Sequence, residues 1–167
     1  MSQDIARLIL LQAGRFAFAA EALNPHQSHN PHMMIPSVVN GALTFELLFK
    51  CLYLIDTGQN PSKTHDYSKI FSSLRPDTQQ EMKAAFDTLI HQRDMSDVTK
   101  IESTSGIKIP RDLYGNLQEG SKVFVDGRYV YEGKPWIFMF YLEIKRILLD
   151  CIYRLRPDFR EIISPIG

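Results

Sequence analysis

VVNGALTFELLFKCLYL, from Val38 to Leu54, decides how the rest of the chain is read. It is apolar nearly all round, opens behind Pro36-Ser37 and ends at Gly58. A helix with no polar face belongs in the middle of a bundle. Glu46 and Lys50 lie inside this run, one helical turn apart. Their burial demands partners, either each other or charges brought in from elsewhere.

Working outward, the other segments also read as helices. Ile5, Leu8, Ile9, Phe16, Ala19, Ala20 and Leu23 recur at helical spacing before Asn24-Pro25 stops the run. Beyond the loop TGQNPSK, Thr64 is expected to cap a short helix whose Tyr67, Ile70, Phe71 and Leu74 face the core. Asp77 and Gln80 form a capping-box pattern ahead of Met82, Ala85, Phe86, Leu89 and Ile90. DMSDVTKIESTSGIKIP is polar and interrupted, so a long loop is expected there. A last helix is predicted from near Pro135 to about Leu155, with Glu143, Arg146, Asp150 and Arg154 as a wet stripe of alternating sign. KVFVDGRYVYEG, Lys122 to Gly133, leaves two readings open. Asp126-Gly127 between β-branched and aromatic residues is a hairpin signal, whereas Leu113, Leu117, Gly120, Ser121 and Phe124 keep helical spacing. The helix, from about Arg111 to near Gly127, is favoured, because an isolated hairpin has no sheet to join. The expectation is an all-α, up-and-down bundle of about five main helices with one long polar loop, a single domain over residues 1–167.

Composition limits the function. Lys and Arg total 19, as do Asp and Glu, so no global field draws the chain to nucleic acid or an anionic membrane. Cys51 and Cys151 each sit in an apolar run without a second ligand at metal spacing, as expected of reduced core thiols. MSQDIARLILLQ lacks the basic region and cleavage site of a signal peptide, and charges interrupt every long apolar stretch. A soluble, cytoplasmic protein that does not contact membranes is expected.

PSVVNGALTFELLFKCLYL, a Gly, a short loop with HDYSKIFSSL, and KVFVDGRYVYE in that order resemble the HEPN superfamily (higher eukaryotes and prokaryotes nucleotide-binding domain). Glu46 with Lys50, His65-Asp66, and Arg128-Tyr129 ahead of Glu132 carry the resemblance, which spans Pro36 to the end of the last helix. It implies a helical bundle, usually dimeric, of the kind found in RNA-cleaving toxins, phage-defence systems and partners of nucleotidyltransferases. Active members carry an Arg, a polar residue after it, and a His after four to six intervening residues, the Arg holding phosphate and the His moving the proton of the RNA 2′-hydroxyl without a metal. After Arg128 those positions are Gly133, Lys134 and Pro135, and no other Arg has a His at that spacing.

Two functions therefore compete. One is a noncatalytic HEPN-like homodimer that binds RNA, a nucleotide or a partner protein in phage defence or a toxin–antitoxin system. The alternative is a metal-independent endoribonuclease with a displaced site around Arg128, Glu132 and His65. Glu46, Lys50, Asp66, Arg128 and Tyr129 form the candidate polar cluster, binding or structural. No cofactor is expected. His26, His29 and His32 lie in a Pro-broken loop that does not hold three imidazoles in place, so no metal is expected either. Tyr129, Tyr131, Trp136, Phe138, Phe140 and Tyr141 are candidates for base stacking, with core or dimer interface as the simpler reading.

Overall fold

The computed structural model describes residues 2–24, 29–126 and 140–162. These residues form helices and 3-10 turns, with no strand among them, so the chain is an all-α bundle. Five long helices build it: α1 (Ser2–Ala22), α2 (Met34–Thr57), α4 (Pro76–Gln92), α6 (Leu113–Asp126) and α7 (Tyr141–Leu155). Two shorter ones, α3 (Tyr67–Ser72) and α5 (Ser96–Ser105), fill the gaps. A 3-10 turn at Pro31–Met33 leads into α2, and another at Pro157–Ile162 follows α7.

α2 is the central helix, in contact with α1, α3, α6 and α7. It buries Phe45, Leu48, Phe49, Cys51, Leu52 and Leu54 together, and Gly58 ends it at φ +73°, donating its N–H to Leu54. The helix is long and apolar enough to cross a membrane, but more than half of that stretch is buried inside the bundle. Two hydrogen bonds set its direction against α1. The Cys51 thiol near one end reaches the Ala6 carbonyl, and the Ser37 hydroxyl near the other reaches the Ala20 carbonyl, so the helices run antiparallel. α4 and α7 are antiparallel by the same logic: Arg154 bonds Glu81, while Arg93 bonds Glu143. The expected wet stripe on α7 is thereby half committed to α4.

The structure corrects several sequence expectations. The core face of α1 is Ala6, Leu10, Ala13 and Ala17, whereas Ile5 and Leu8 are exposed. Three alanines on that face let α1 lie close on α2, while Leu10 is buried, Ile9 packs against the core, and Ile5, Leu8 and Phe18 are turned outward. The expected polar loop after α4 contains α5. Asp94 accepts from the Ser96 N–H ahead of it, Val98 is buried with Ile101 packed on the core one turn later, and Gly106 ends it at φ +71°. Glu102 then accepts from the Ile109 N–H and from Arg111, folding the remaining loop back on the helix. Pro110 fits against Gly115, where a Cβ would lie 2.7 Å from the proline ring. Val123 to Asp126 are helical, so the hairpin reading fails as far as Asp126, and the left-handed cap at Gly127 lies outside the described residues. The predicted start of α7 at Pro135 lies outside them too.

The capping assignments also move. Asp66, not Thr64, caps α3, accepting from the Ser68 and Lys69 N–H groups, while Thr64 accepts from the Asp66 N–H. α4 has no side-chain cap of its own, so Asp77 and Gln80 do not form the expected box. Its first turn is held from outside. Asp56, 2 % exposed in the last turns of α2, accepts from the Arg75 N–H at 2.7 Å and the Thr78 hydroxyl at 2.6 Å. A carboxylate from another helix does the work of a local cap. Asp56→Ala leaves the Arg75 N–H and the buried Thr78 hydroxyl without that acceptor, and should cost about 2–3 kcal/mol of unfolding free energy in urea titrations. Asp77→Ala, by contrast, should change stability by less than about 0.5 kcal/mol.

Candidate functional site

The charges that the sequence placed inside an apolar helix meet on one side of α2. Glu46 is 5 % exposed. Its Oε1 accepts from Lys50 Nζ at 2.5 Å, one turn along the helix. Its Oε2 accepts from His65 Nδ1 at 2.7 Å, from the loop that precedes α3. A carboxylate only accepts, so the hydrogen on the His65 ring sits on Nδ1. The imidazole is thereby fixed in one orientation, and 53 % of its side chain remains exposed. One buried oxygen pair thus holds a cation from its own helix and an aromatic base from a loop.

Two further contacts hold the loop against the helices. Tyr67 is wholly buried, stacks on Phe49 at 5.8 Å with the rings 9° apart, and donates its hydroxyl to the Ala42 carbonyl at 2.8 Å. The Tyr67 N–H donates to the Ser121 hydroxyl at 2.7 Å, which joins the start of α3 to α6. Burial acts to raise the Asp66 carboxyl, but bonds from Ser68 and Lys69 outweigh it and hold the group below its ordinary value of 3.8.

Between these elements lies an open groove of about 620 Å³. Thr64, His65, Asp66 and Ser68 form one wall, and Gln118, Glu119, Ser121 and Lys122 form the other. Glu119 and Lys122 are paired at 2.6 Å along α6. Every lining side chain carries a polar group, while carbon stems supply much of the surface between them, which suits a ligand with several hydrogen-bonding groups.

Of the candidates drawn from the sequence, the structure brings together Glu46, Lys50, His65 and Asp66. Arg128, Tyr129 and Glu132 lie outside the described residues, and so do Tyr131, Trp136 and Phe138. Within the described residues the third member of the Glu46 cluster is His65. Phe140 is a core residue, edge-on to Phe86 at 5.7 Å, with Arg93 over its face. His29 and His32 are exposed, His26 lies outside the described residues, and no group of three metal-ligating side chains occurs among those described. Burial pushes the thiols of Cys51 and Cys151 up to about 12, so neither is an available nucleophile near neutral pH. The α6 wall was missed because Gln118, Glu119 and Lys122 carry no local signal beyond a polar helix face and Ser121 was noted only for its helical spacing. Their polarity on successive turns was visible, but not what they face.

The chain matches no family model, no curated protein and no solved structure.

Two outcomes test this geometry. Lys50→Met leaves a buried carboxylate with the imidazole as its remaining described partner and should destabilise the fold by about 2–4 kcal/mol, whereas His65→Ala, which leaves Lys50 in place, should cost about 1 kcal/mol. Denaturant midpoints that rank the two variants the other way would make the imidazole the principal support of Glu46. For Asp66, the depressed carboxyl supplies stability that is present above its unfolded value and is lost as pH falls through its lower folded value. The stability advantage of the native chain over Asp66→Asn should therefore hold at neutral pH and shrink progressively below about pH 4. Urea midpoints across that range measure it.

Proposed function

We propose that this chain is a HEPN-like binding module that holds RNA or a nucleotide in the groove beside His65 without cutting it. The observation that carries this reading is the Glu46-held imidazole on the wall of a groove whose every lining side chain carries a polar group. A fixed aromatic base beside hydroxyl, amide and carboxylate groups offers the directional hydrogen bonding by which single nucleotides are read. The balanced overall charge agrees with local recognition and not with general attraction to polyanions. The lack of a His at positions 133–135, where a competent Arg and His pair requires one, supports binding over cleavage. The resemblance favours a homodimer working in phage defence or a toxin–antitoxin system, in the cytoplasm, with RNA, a nucleotide or a protein as partner.

The Glu46–His65 pair itself favours a second reading. A carboxylate on Nδ1 orients an imidazole and leaves its other ring nitrogen for the substrate, as a general acid–base catalyst requires. On that reading the chain is a metal-independent endoribonuclease, with Arg128 and Glu132 completing the site.

A mixed, end-labelled RNA pool separates the two. Retarded migration with intact RNA, with or without a chelator, is the expected result, and light scattering of the same sample should give the mass of a dimer. Chelator-insensitive cleavage that is lost in a folded His65→Ala variant would replace the binding module with the enzyme. Failure to retard any RNA or nucleotide at millimolar concentration would remove the nucleic-acid reading altogether.

A further inference from the structure

We infer that the groove beside His65 takes the sugar hydroxyls of a ribonucleotide and leaves the phosphate outside. The assignment rests on the RNA or nucleotide reading above and specifies which part of that ligand the groove contacts.

Asp66 on one side and Glu119 on the other are carboxylates, and Lys122 is the one ammonium group among the lining residues. That ammonium is bound to Glu119 at 2.6 Å, so it does not stand as a separate cation. His65 sits over a Glu46 that Lys50 also neutralises. A phosphate group offers only acceptor oxygens and negative charge, and here the one lining ammonium is already held by Glu119, while Asp66 is paired at 3.4 Å with Lys69 of the helix it caps, so no uncommitted cation among the described lining residues is there to receive it. A vicinal diol offers two O–H donors, which is what carboxylates at a wall accept. Acidic side chains perform that task on ribose hydroxyls in dinucleotide-binding folds.

Size and mobility agree. A volume of about 620 Å³ lies in the range that takes a nucleoside-sized ligand. The Tyr67 N–H bond to Ser121 ties the two walls together and the Asp66 cap fixes the start of α3, so the acceptor positions are set before the ligand arrives. Because a 2′-hydroxyl separates RNA from DNA, a groove of this kind discriminates between them without reading a base.

Calorimetry on the full chain tests the assignment with uridine, 2′-deoxyuridine and inorganic phosphate, alongside an RNA and a DNA oligomer of one sequence. Uridine should bind about tenfold more tightly than its deoxy counterpart, the worth of one hydrogen bond to a charged acceptor. Phosphate should neither bind in the groove nor displace uridine. Glu119 is partly exposed, so Glu119→Gln and Glu119→Lys should fold, as circular dichroism will verify. The first should weaken uridine severalfold, and the second should abolish the preference for ribose while admitting phosphate. Equal binding of the two nucleosides, displacement by phosphate, or unchanged uridine affinity in Glu119→Gln overturns the assignment. If RNA still binds in any of those cases, the binding-module reading survives and only the sugar contact falls. If neither RNA nor either nucleoside binds, both fall together.

Discussion

The Glu46 carboxylate is the constraint around which the bundle is arranged. An ion removed from water on an apolar helix is tolerated only when its lone pairs are met, and the two partners come from different directions. Lys50 is local and arrives with the helix itself. His65 is distant in sequence, so its bond fixes where the loop after α2 must return and hence where α3 begins. From that point the buried ring of Tyr67, stacked on Phe49, carries the chain into the core. The groove exists because the loop is pinned on one side by a charge and on the other by α6.

Carboxylates acting across elements recur in the fold. Asp56 satisfies the first turn of α4, and Glu102 takes the Ile109 N–H of the following loop. In each case an acceptor from one segment meets a backbone N–H that its own segment leaves unbonded. These bonds are directional where apolar packing is not, so they select one arrangement of helices among the several that the same greasy faces permit.

What was legible in the sequence follows the range of each interaction. Helical periodicity is local, so α2, α4 and the apolar side of α7 were readable from spacing alone. The pairing of Glu46 with Lys50 was equally local. α1 misled because Ile5 and Leu8 lie on the outside while Ala6, Ala13 and Ala17 share the inside with Leu10, so size pointed partly to the wrong face. α5 was hidden by its polarity: one buried valine and one packed isoleucine are too few to mark a period. Asp77 and Gln80 matched a capping pattern, yet a buried aspartate from another helix had already taken the first turn of α4. The bond from His65 to Glu46 spans nineteen residues, and no local rule reaches that far. Each residue type was noticed, but the partnership required the fold.

The small-residue seam between α1 and α2 bears on the order in which the chain assembles. These helices are neighbours in sequence, run antiparallel, and share the most extensive packing in the bundle. Closing the short connection between them sacrifices less chain entropy than bringing α7 back onto α2 from the far end. Alanines lose almost no rotamer freedom when they dock. The pair is therefore the natural first cooperative unit of folding, and its amides should gain exchange protection before those of α7 during refolding.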